Sequence, residues 1–236
     1  MPEPLLSAEG IAASYGTMQV LWDVTVEVRS GENVVLLGAN GAGKTTLLRA
    51  LLGLVAMPAG AITFEDRPIH HLRTDERVRL GIGYMSESAV FGDLTVEENV
   101  LLGGWPVGRR RARQRAAELY DTMPDLAQRR RTRAGSLSGG QRKMVGIAKA
   151  LVANPRLVVM DEPSSGLSPL FVSQVVSTLD QLSSSGVSLL VAEQNVAFLG
   201  PADRVYVLEG GRARFTGSVA DLESDTAMHD AFFGLN

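Results

Sequence analysis

Asn33-Val34-Val35-Leu36-Leu37-Gly38-Ala39-Asn40-Gly41-Ala42-Gly43-Lys44-Thr45-Thr46 is the stretch that decides the fold. Its first half is a continuous apolar run of strand length that stops at a glycine, the form of a strand buried on both faces of a parallel sheet. A helical pattern begins near Lys44, so the stretch reads as a βα unit whose turn matches the phosphate-loop pattern of spaced glycines followed by lysine and a hydroxyl residue. Gly38, Gly41 and Gly43, with Asn40 and Ala42 between them, let backbone amides converge on phosphate oxygens, and the helix N-terminus adds partial positive charge. Lys44 is expected to reach β and γ phosphates and the Thr45 hydroxyl to ligate Mg²⁺, whereas Thr46 reads as a further contact or as a plain helix residue. The alternative for the whole motif is an ordinary glycine-rich turn.

Working outward, two more apolar runs, Leu157 to Met160 and Val187 to Ala192, are each flanked by helix-like segments. The parallel sheet is therefore assembled from pieces far apart in the chain. On the N-terminal side Leu21, Val24, Val26 and Val28 alternate with polar residues, which predicts antiparallel strands with one buried face. From Leu94 to Ala153 no strand is evident. Thr95-Val96-Glu97-Glu98 is a capping box opening a helix, and two more helices are expected after it. The end of the chain returns to a strand at Arg204 to Leu208, a Gly210-Gly211 turn, a strand through Phe215, and two short helices. The expected fold is α/β: a phosphate-loop core with a mixed sheet and an antiparallel subdomain (residues 1–93 and 154–236), interrupted by a helical subdomain (about 94–153).

Composition bounds the function. The chain has 236 residues, 45% hydrophobic and 21% charged, with 25 glycines and no cysteine. That fits a soluble globular protein and excludes collagen-like or disordered chains, disulfide scaffolds and cysteine chemistry. No apolar run approaches the roughly 18 to 20 residues needed to span a bilayer. Met1-Pro2-Glu3-Pro4 lacks the features of a secretory signal, so a cytoplasmic protein is expected. The formal net charge of −3 argues against a nucleic-acid binder, although nine arginines crowd the segment from Val107 to Gly135 against Glu118, Asp121 and Asp125. Those arginines read as a solvated helix face or as a contact with anionic lipid.

Two further motifs carry chemistry. Leu157-Val158-Val159-Met160-Asp161-Glu162 ends an apolar strand in two carboxylates, where open α/β sheets put ligand sites. Asp161 would hold a metal and Glu162 would polarise an attacking water, or both would cap a helix starting after Pro163. Leu137-Ser138-Gly139-Gly140-Gln141 opens a helix with a hydroxyl and small residues, a second phosphate-binding nest, or a plain N-cap at Ser138.

The order of phosphate loop, helical insertion, Leu-Ser-Gly-Gly-Gln and apolar strand ending Asp-Glu resembles the ATP-binding subunits of ABC transporters over nearly the whole chain. The resemblance implies a Mg-dependent ATPase in which two subunits pair head to tail, so that Ser138, Gly139, Gly140 and Gln141 close over ATP held by the partner's phosphate loop. It further implies that Tyr15 stacks on adenine, unless it is a core aromatic. Glu87 takes the place of a family glutamine that touches Mg²⁺, unless it is a solvated loop residue, and Gln194 takes the place of a histidine that bonds the γ phosphate. Gln194 can donate but cannot accept and release a proton as imidazole does. Ser168 departs from the aspartate usual in the loop between protomers. Glu87, Glu193-Gln194-Asn195, Gly166-Leu167-Ser168-Pro169-Leu170 and Phe232-Phe233-Gly234 together look like the branch serving importers of branched-chain amino acids, with urea and short-amide importers as relatives. Implied partners are a second ATPase subunit, separate transmembrane permease subunits and, indirectly, a substrate-binding protein, at the inner face of the cell membrane. Val90 and Phe91 are expected either to receive a short helix of the permease or to anchor the insertion to the core. The rival reading is a soluble ABC ATPase uncoupled from transport.

Overall fold

The computed structural model describes residues 3–226. The chain opens with β1 (Leu6–Tyr15) and β2 (Met18–Val28), then β3 (Asn33–Leu37), α1 (Lys44–Leu51), β4 (Ala59–Phe64), β5 (Arg67–Pro68), α2 (Thr74–Arg79) and β6 (Ile82–Met85). Four helices follow: α3 (Val96–Gly103), α4 (Arg109–Thr122), α5 (Pro124–Gln128) and α6 (Gly139–Leu151). The remainder is β7 (Leu157–Asp161), α7 (Pro169–Ser184), β8 (Ser188–Glu193), β9 (Arg204–Glu209), β10 (Arg212–Gly217) and α8 (Val219–Ser224).

Two sheets result. An antiparallel sheet has the order β2-β1-β4-β5, and the main sheet has the order β10-β9-β3-β8-β7-β6, parallel except where β10 pairs with β9. Strand β3 is buried along its whole length, and its alternation divides two cores. Val34 and Leu36 pack with α1 and the inner face of the antiparallel sheet, through Leu47, Leu48, Ile11 and Val24. Val35 and Leu37 face the other way, onto Val175 and Leu179 of α7 and Ile147 of α6. Each fully buried aliphatic side chain contributes about 1.5–3 kcal/mol. A third cluster, Val96, Val100, Tyr120, Leu126, Val145 and Val152, belongs to the helices between β6 and β7. Val90, partly buried, packs against both this cluster and the second core.

Several expectations need correction. Strand β6 was not anticipated, because Ile82-Gly83-Tyr84-Met85 is short and carries a glycine; that glycine lies against the Ala150 carbonyl, where a Cβ would come within 2.7 Å. The stretch between α3 and α6 holds α5 as well as α4, the chain restarting at Pro124. No helix begins after Pro163; α7 starts at Pro169, with Ser168 as its N-cap. The second C-terminal helix and Phe232-Phe233-Gly234 lie outside the described residues. Among the described residues no helix is long and apolar enough to cross a membrane.

Helix α1, which begins at the phosphate loop, is fixed at its far end by Arg77. This arginine is 2% exposed, and its guanidinium donates to the carbonyls of Ala50, Leu51, Leu72 and His70 at 2.7–3.0 Å. Burial lowers its pKa, and those carbonyls offset the desolvation. Arg77→Met is expected to leave the Leu51 carbonyl at the α1 C-terminus without its donor and cost about 1–3 kcal/mol, read as a lower urea midpoint with an unchanged slope.

Candidate functional site

The site lies where the C-terminal ends of β3, β7 and β8 meet. Parallel pairing sets Leu37 beside Glu193 and Asp161 beside Ala192, so the residue after each strand enters the same space. Gly38 follows β3 with its N–H donating to the Glu193 carbonyl at 3.2 Å, and a Cβ there would come within 2.5 Å of the Leu208 carbonyl oxygen. Gly43, the N-cap of α1, has φ +107°, a conformation open to glycine alone at this packing, since a Cβ would meet Leu21 at 2.8 Å. Asn40 and Gly41 are exposed at the tip of the loop, and Ala42, nearly buried, accepts from Gly211 N–H at 3.0 Å. Thr46 is buried in the first turn of α1.

Lys44 is 3% exposed. Its Nζ donates to the Gly38 and Ala39 carbonyls at 2.7 and 3.1 Å and lies 3.4 Å from Glu162 Oε1. The Thr45 hydroxyl donates to Asp161 Oδ1 at 2.9 Å. Burial pushes the Asp161 carboxyl up from its ordinary pKa, against the opposing pull of the Thr45 hydrogen bond, and the neighbouring Glu162 adds to the rise. A buried carboxylate so destabilised in its charged form is stabilised by a bound cation. Two hard oxygens in contact suit Mg²⁺, which takes one or two protein oxygens and completes its shell with phosphate and water. Among the described residues no group of three or more His, Cys, Asp or Glu side chains could hold a metal alone.

Glu162 has φ +45°, a left-handed backbone costing a non-glycine residue roughly 1–2 kcal/mol. Its N–H donates to the Ala192 carbonyl at 2.9 Å. Gln194 is exposed at the end of the adjoining strand, and its N–H donates to Glu193 Oε2 at 3.1 Å. Glu87 is exposed, yet its Oε1 accepts from the Ser165 hydroxyl at 3.0 Å, so its loop is tied to the segment after Glu162. Tyr15 is 41% exposed and accepts from Arg49 at 3.3 Å; it is not a core aromatic.

Ser138 caps α6 through a reciprocal box, Gln141 N–H to Ser138 Oγ at 3.3 Å and Ser138 N–H to Gln141 Oε1 at 3.0 Å. The neighbours of this helix start are Gly166, Leu167 and Phe171, and a Cβ on Gly140 would overlap the Phe171 ring. Gly140 therefore serves the packing of α6 on α7, a role additional to the one its motif implies. Arg109, Arg110, Arg111 and Arg113 are exposed on α4.

Sequence reasoning missed two residues of the site. Glu193 is fully buried, and its carboxylate accepts from Ser164 N–H and Oγ at 2.7 and 2.8 Å and from the amides of Gln194 and Asn195 at 3.1 and 3.3 Å. Burial raises its pKa while these bonds hold it down. A carboxylate closing an apolar strand was the available signal, the same one that marks Asp161. Lys143, on α6, is the second, and nothing in Gln141-Arg142-Lys143-Met144 sets it apart from an ordinary helix lysine.

A phosphate loop with a buried lysine, a strand-end aspartate bonded to the loop's threonine, and a glutamate next to it define a phosphate-loop ATPase. The description "ABC transporter" fits residues 21–165, and the chain belongs to that family. It is 38% identical, over 98% of its length and 100% of the relative's, to the high-affinity branched-chain amino acid transport ATP-binding protein BraG of Pseudomonas aeruginosa. It is also 35% identical to the lipopolysaccharide export system ATP-binding protein LptB of Escherichia coli, over 97% of each chain. Among solved structures, the ADP conformation of MJ1267, an ATP-binding cassette of an ABC transporter, superposes with TM-score 0.86 at 26% identity, covering 99% of this chain and 100% of that one. This protein is accordingly a nucleotide-binding ATPase subunit whose hydrolysis is coupled to transport.

Proposed function

We propose that the chain drives an importer of branched-chain amino acids. The observation that carries the solute class is the end-to-end similarity to BraG, which exceeds that to LptB. Urea or a short amide is the nearest alternative cargo. The cargo never meets this chain, so uptake of labelled leucine by cells that express it with its permease, against uptake of urea, decides among them.

In the proposed reaction the phosphate loop from Gly38 to Thr45 cradles ATP and Tyr15 stacks on adenine. Lys44, released from the Gly38 and Ala39 carbonyls, balances phosphate charge. Thr45 and Asp161 would hold Mg²⁺, with Glu87 able to join them; when bound, the ion would neutralise charge on the β and γ phosphates. Glu162 orients and deprotonates the attacking water, a role its proximity to Lys44 supports, and Gln194 donates to the γ phosphate through its amide. Ser138, Gly139, Gly140 and Gln141 act on ATP held by a partner subunit. The separation of this helix start from its own phosphate loop, with α7 and the Gly166-Leu167 turn as its neighbours, supports that reading. A C2 pair of this kind buries two nucleotides between identical or homologous chains.

A groove of about 580 Å³ between α2, β6 and the helical stretch is lined by Phe91, Leu102, Trp105, Lys149 and Arg79, among others. Phe91 is 58% exposed, with Lys149 Nζ 5.3 Å from its ring centre, while its neighbour Val90 packs inward. The two alternatives thus divide: Val90 anchors, and Phe91 is left for a permease helix, which would hold the chain at the inner face of the cell membrane. A soluble, uncoupled ATPase has less support.

Three outcomes follow. Glu162→Gln should bind ATP nearly as the parent does and hydrolyse it slower by a factor of the order of 10² or more, by steady-state phosphate release; unchanged turnover would refute Glu162 as the base. Because the sequence has no cysteine, residues Ser138 and Gly41 replaced by cysteine form a clean pair. With Mg-ATP trapped they should crosslink between subunits, and crosslinks confined to one chain would defeat the head-to-tail pair. Phe91→Ser should abolish assembly with the permease and leave ATPase of the isolated chain intact, whereas normal assembly would remove Phe91 from the interface.

A further inference from the structure

The backbone around Glu162 is held from two sides by buried side chains of opposite charge. On one side the Glu193 carboxylate takes both donors of Ser164, at 2.7 and 2.8 Å. On the other, Lys143, 6% exposed on α6, donates from Nζ to the Glu162 carbonyl at 2.8 Å and to the Glu87 carbonyl at 2.8 Å. The Glu162 N–H is already committed to Ala192. Bonds on both flanking peptide groups restrain φ and ψ of Glu162 together, and these two angles set the direction of its Cα–Cβ bond. A left-handed glutamate persists only where its surroundings over-determine it.

A methionine would fill the same space without the desolvation that pushes the Lys143 pKa down, an effect the carboxylates of Glu87, Glu193, Glu162 and Asp161 oppose. The ammonium is there for what it holds. Lys143 stands one turn beyond Ser138 on the same helix, and α6 packs against the third hydrophobic cluster through Val145 and Ala148. We propose that Lys143 is a positioning residue that fixes the Glu162 backbone and makes the aim of its carboxylate depend on the seating of α6. Hydrolysis would then require that the Ser138 end of the helix be docked, because a shift of α6 withdraws Lys143 from both carbonyls at once. The proposal rests on the reading of Glu162 as the base.

The test uses the purified full chain, with kcat referred to titrated ATP-binding sites. Lys143→Met is expected to lower kcat by roughly 10- to 100-fold, the scale of a misplaced reacting group, with KM and the ATP dissociation constant within about twofold. Lys143→Gln, a milder change that keeps one amide donor group, is expected to lower kcat by about tenfold, and Lys143→Arg, which can span two carbonyls, to recover most of the parent rate. Adding Lys143→Met to Glu162→Gln should cost nothing further, since both act on one carboxylate. Unchanged kcat per site in either folded variant, Met or Gln, overturns the positioning role while leaving the base reading in place if Glu162→Gln is inactive. A Glu162→Gln enzyme of parental rate overturns the base reading and this proposal with it.

Discussion

Parallel pairing of three strands far apart in the chain, with their C-terminal ends in register, is the constraint on which this molecule depends. Leu37 lies beside Glu193 and Asp161 beside Ala192, so three loops begin within one small volume. That alignment is enforced by burial on both faces. A one-residue slip of β3 would exchange Val34 and Leu36 for Val35 and Leu37 between two separately packed cores. The geometry of the candidate site is thereby tied to hydrophobic packing, and the Thr45–Asp161 hydrogen bond, 2.9 Å long, shows how closely the ends meet.

Charge buried near that meeting point comes in both signs. Lys44 pairs with Glu162 at 3.4 Å, Lys143 donates to the Glu87 and Glu162 carbonyls, and Asp161 and Glu193 accept from Thr45 and Ser164. Removing Lys44 or Glu162 leaves the other charge unpaired, which costs more than the net worth of the pair. Such a site is rigid by mutual requirement. The segment after Glu162 turns before α7 begins at Pro169, with Ser165 N–H donating to the Glu162 carbonyl and Leu167 N–H to the Ser164 carbonyl, both at 3.1 Å, and it is tied down where Ser164 is bound to Glu193 and Ser165 to Glu87.

Much of this was legible in the sequence, for reasons that are local. The phosphate loop announces itself because a two-sided strand, spaced glycines and a helix start must adjoin to bind phosphate, and Asp161-Glu162 because polar residues seldom close an apolar run by accident. The capping box at Thr95 was equally plain, and it forms as written, Glu98 N–H to Thr95 Oγ1 at 3.2 Å. What escaped depends on contacts between distant segments. Arg77 reaches α1, Lys143 reaches Glu87 and Glu162, and Glu193 reaches Ser164; none of these pairs leaves a periodic trace. Strand β6 escaped because its edge position and Gly83 give it too little apolar length to stand out.

Glu193 serves two masters: its carbonyl holds Gly38 N–H and its carboxylate holds Ser164. Residues 164 and 193 are therefore constrained jointly by this contact. Replacing the acid at 193 with a small hydroxyl removes the acceptor for two partly buried donors of Ser164, which a change at 164 or entry of water would have to offset. The backbone half of the link is indifferent to that exchange, since any residue at 193 offers the carbonyl to Gly38. Divergence among relatives can thus rewrite the side-chain half of this joint while the phosphate loop inherits its anchorage unchanged.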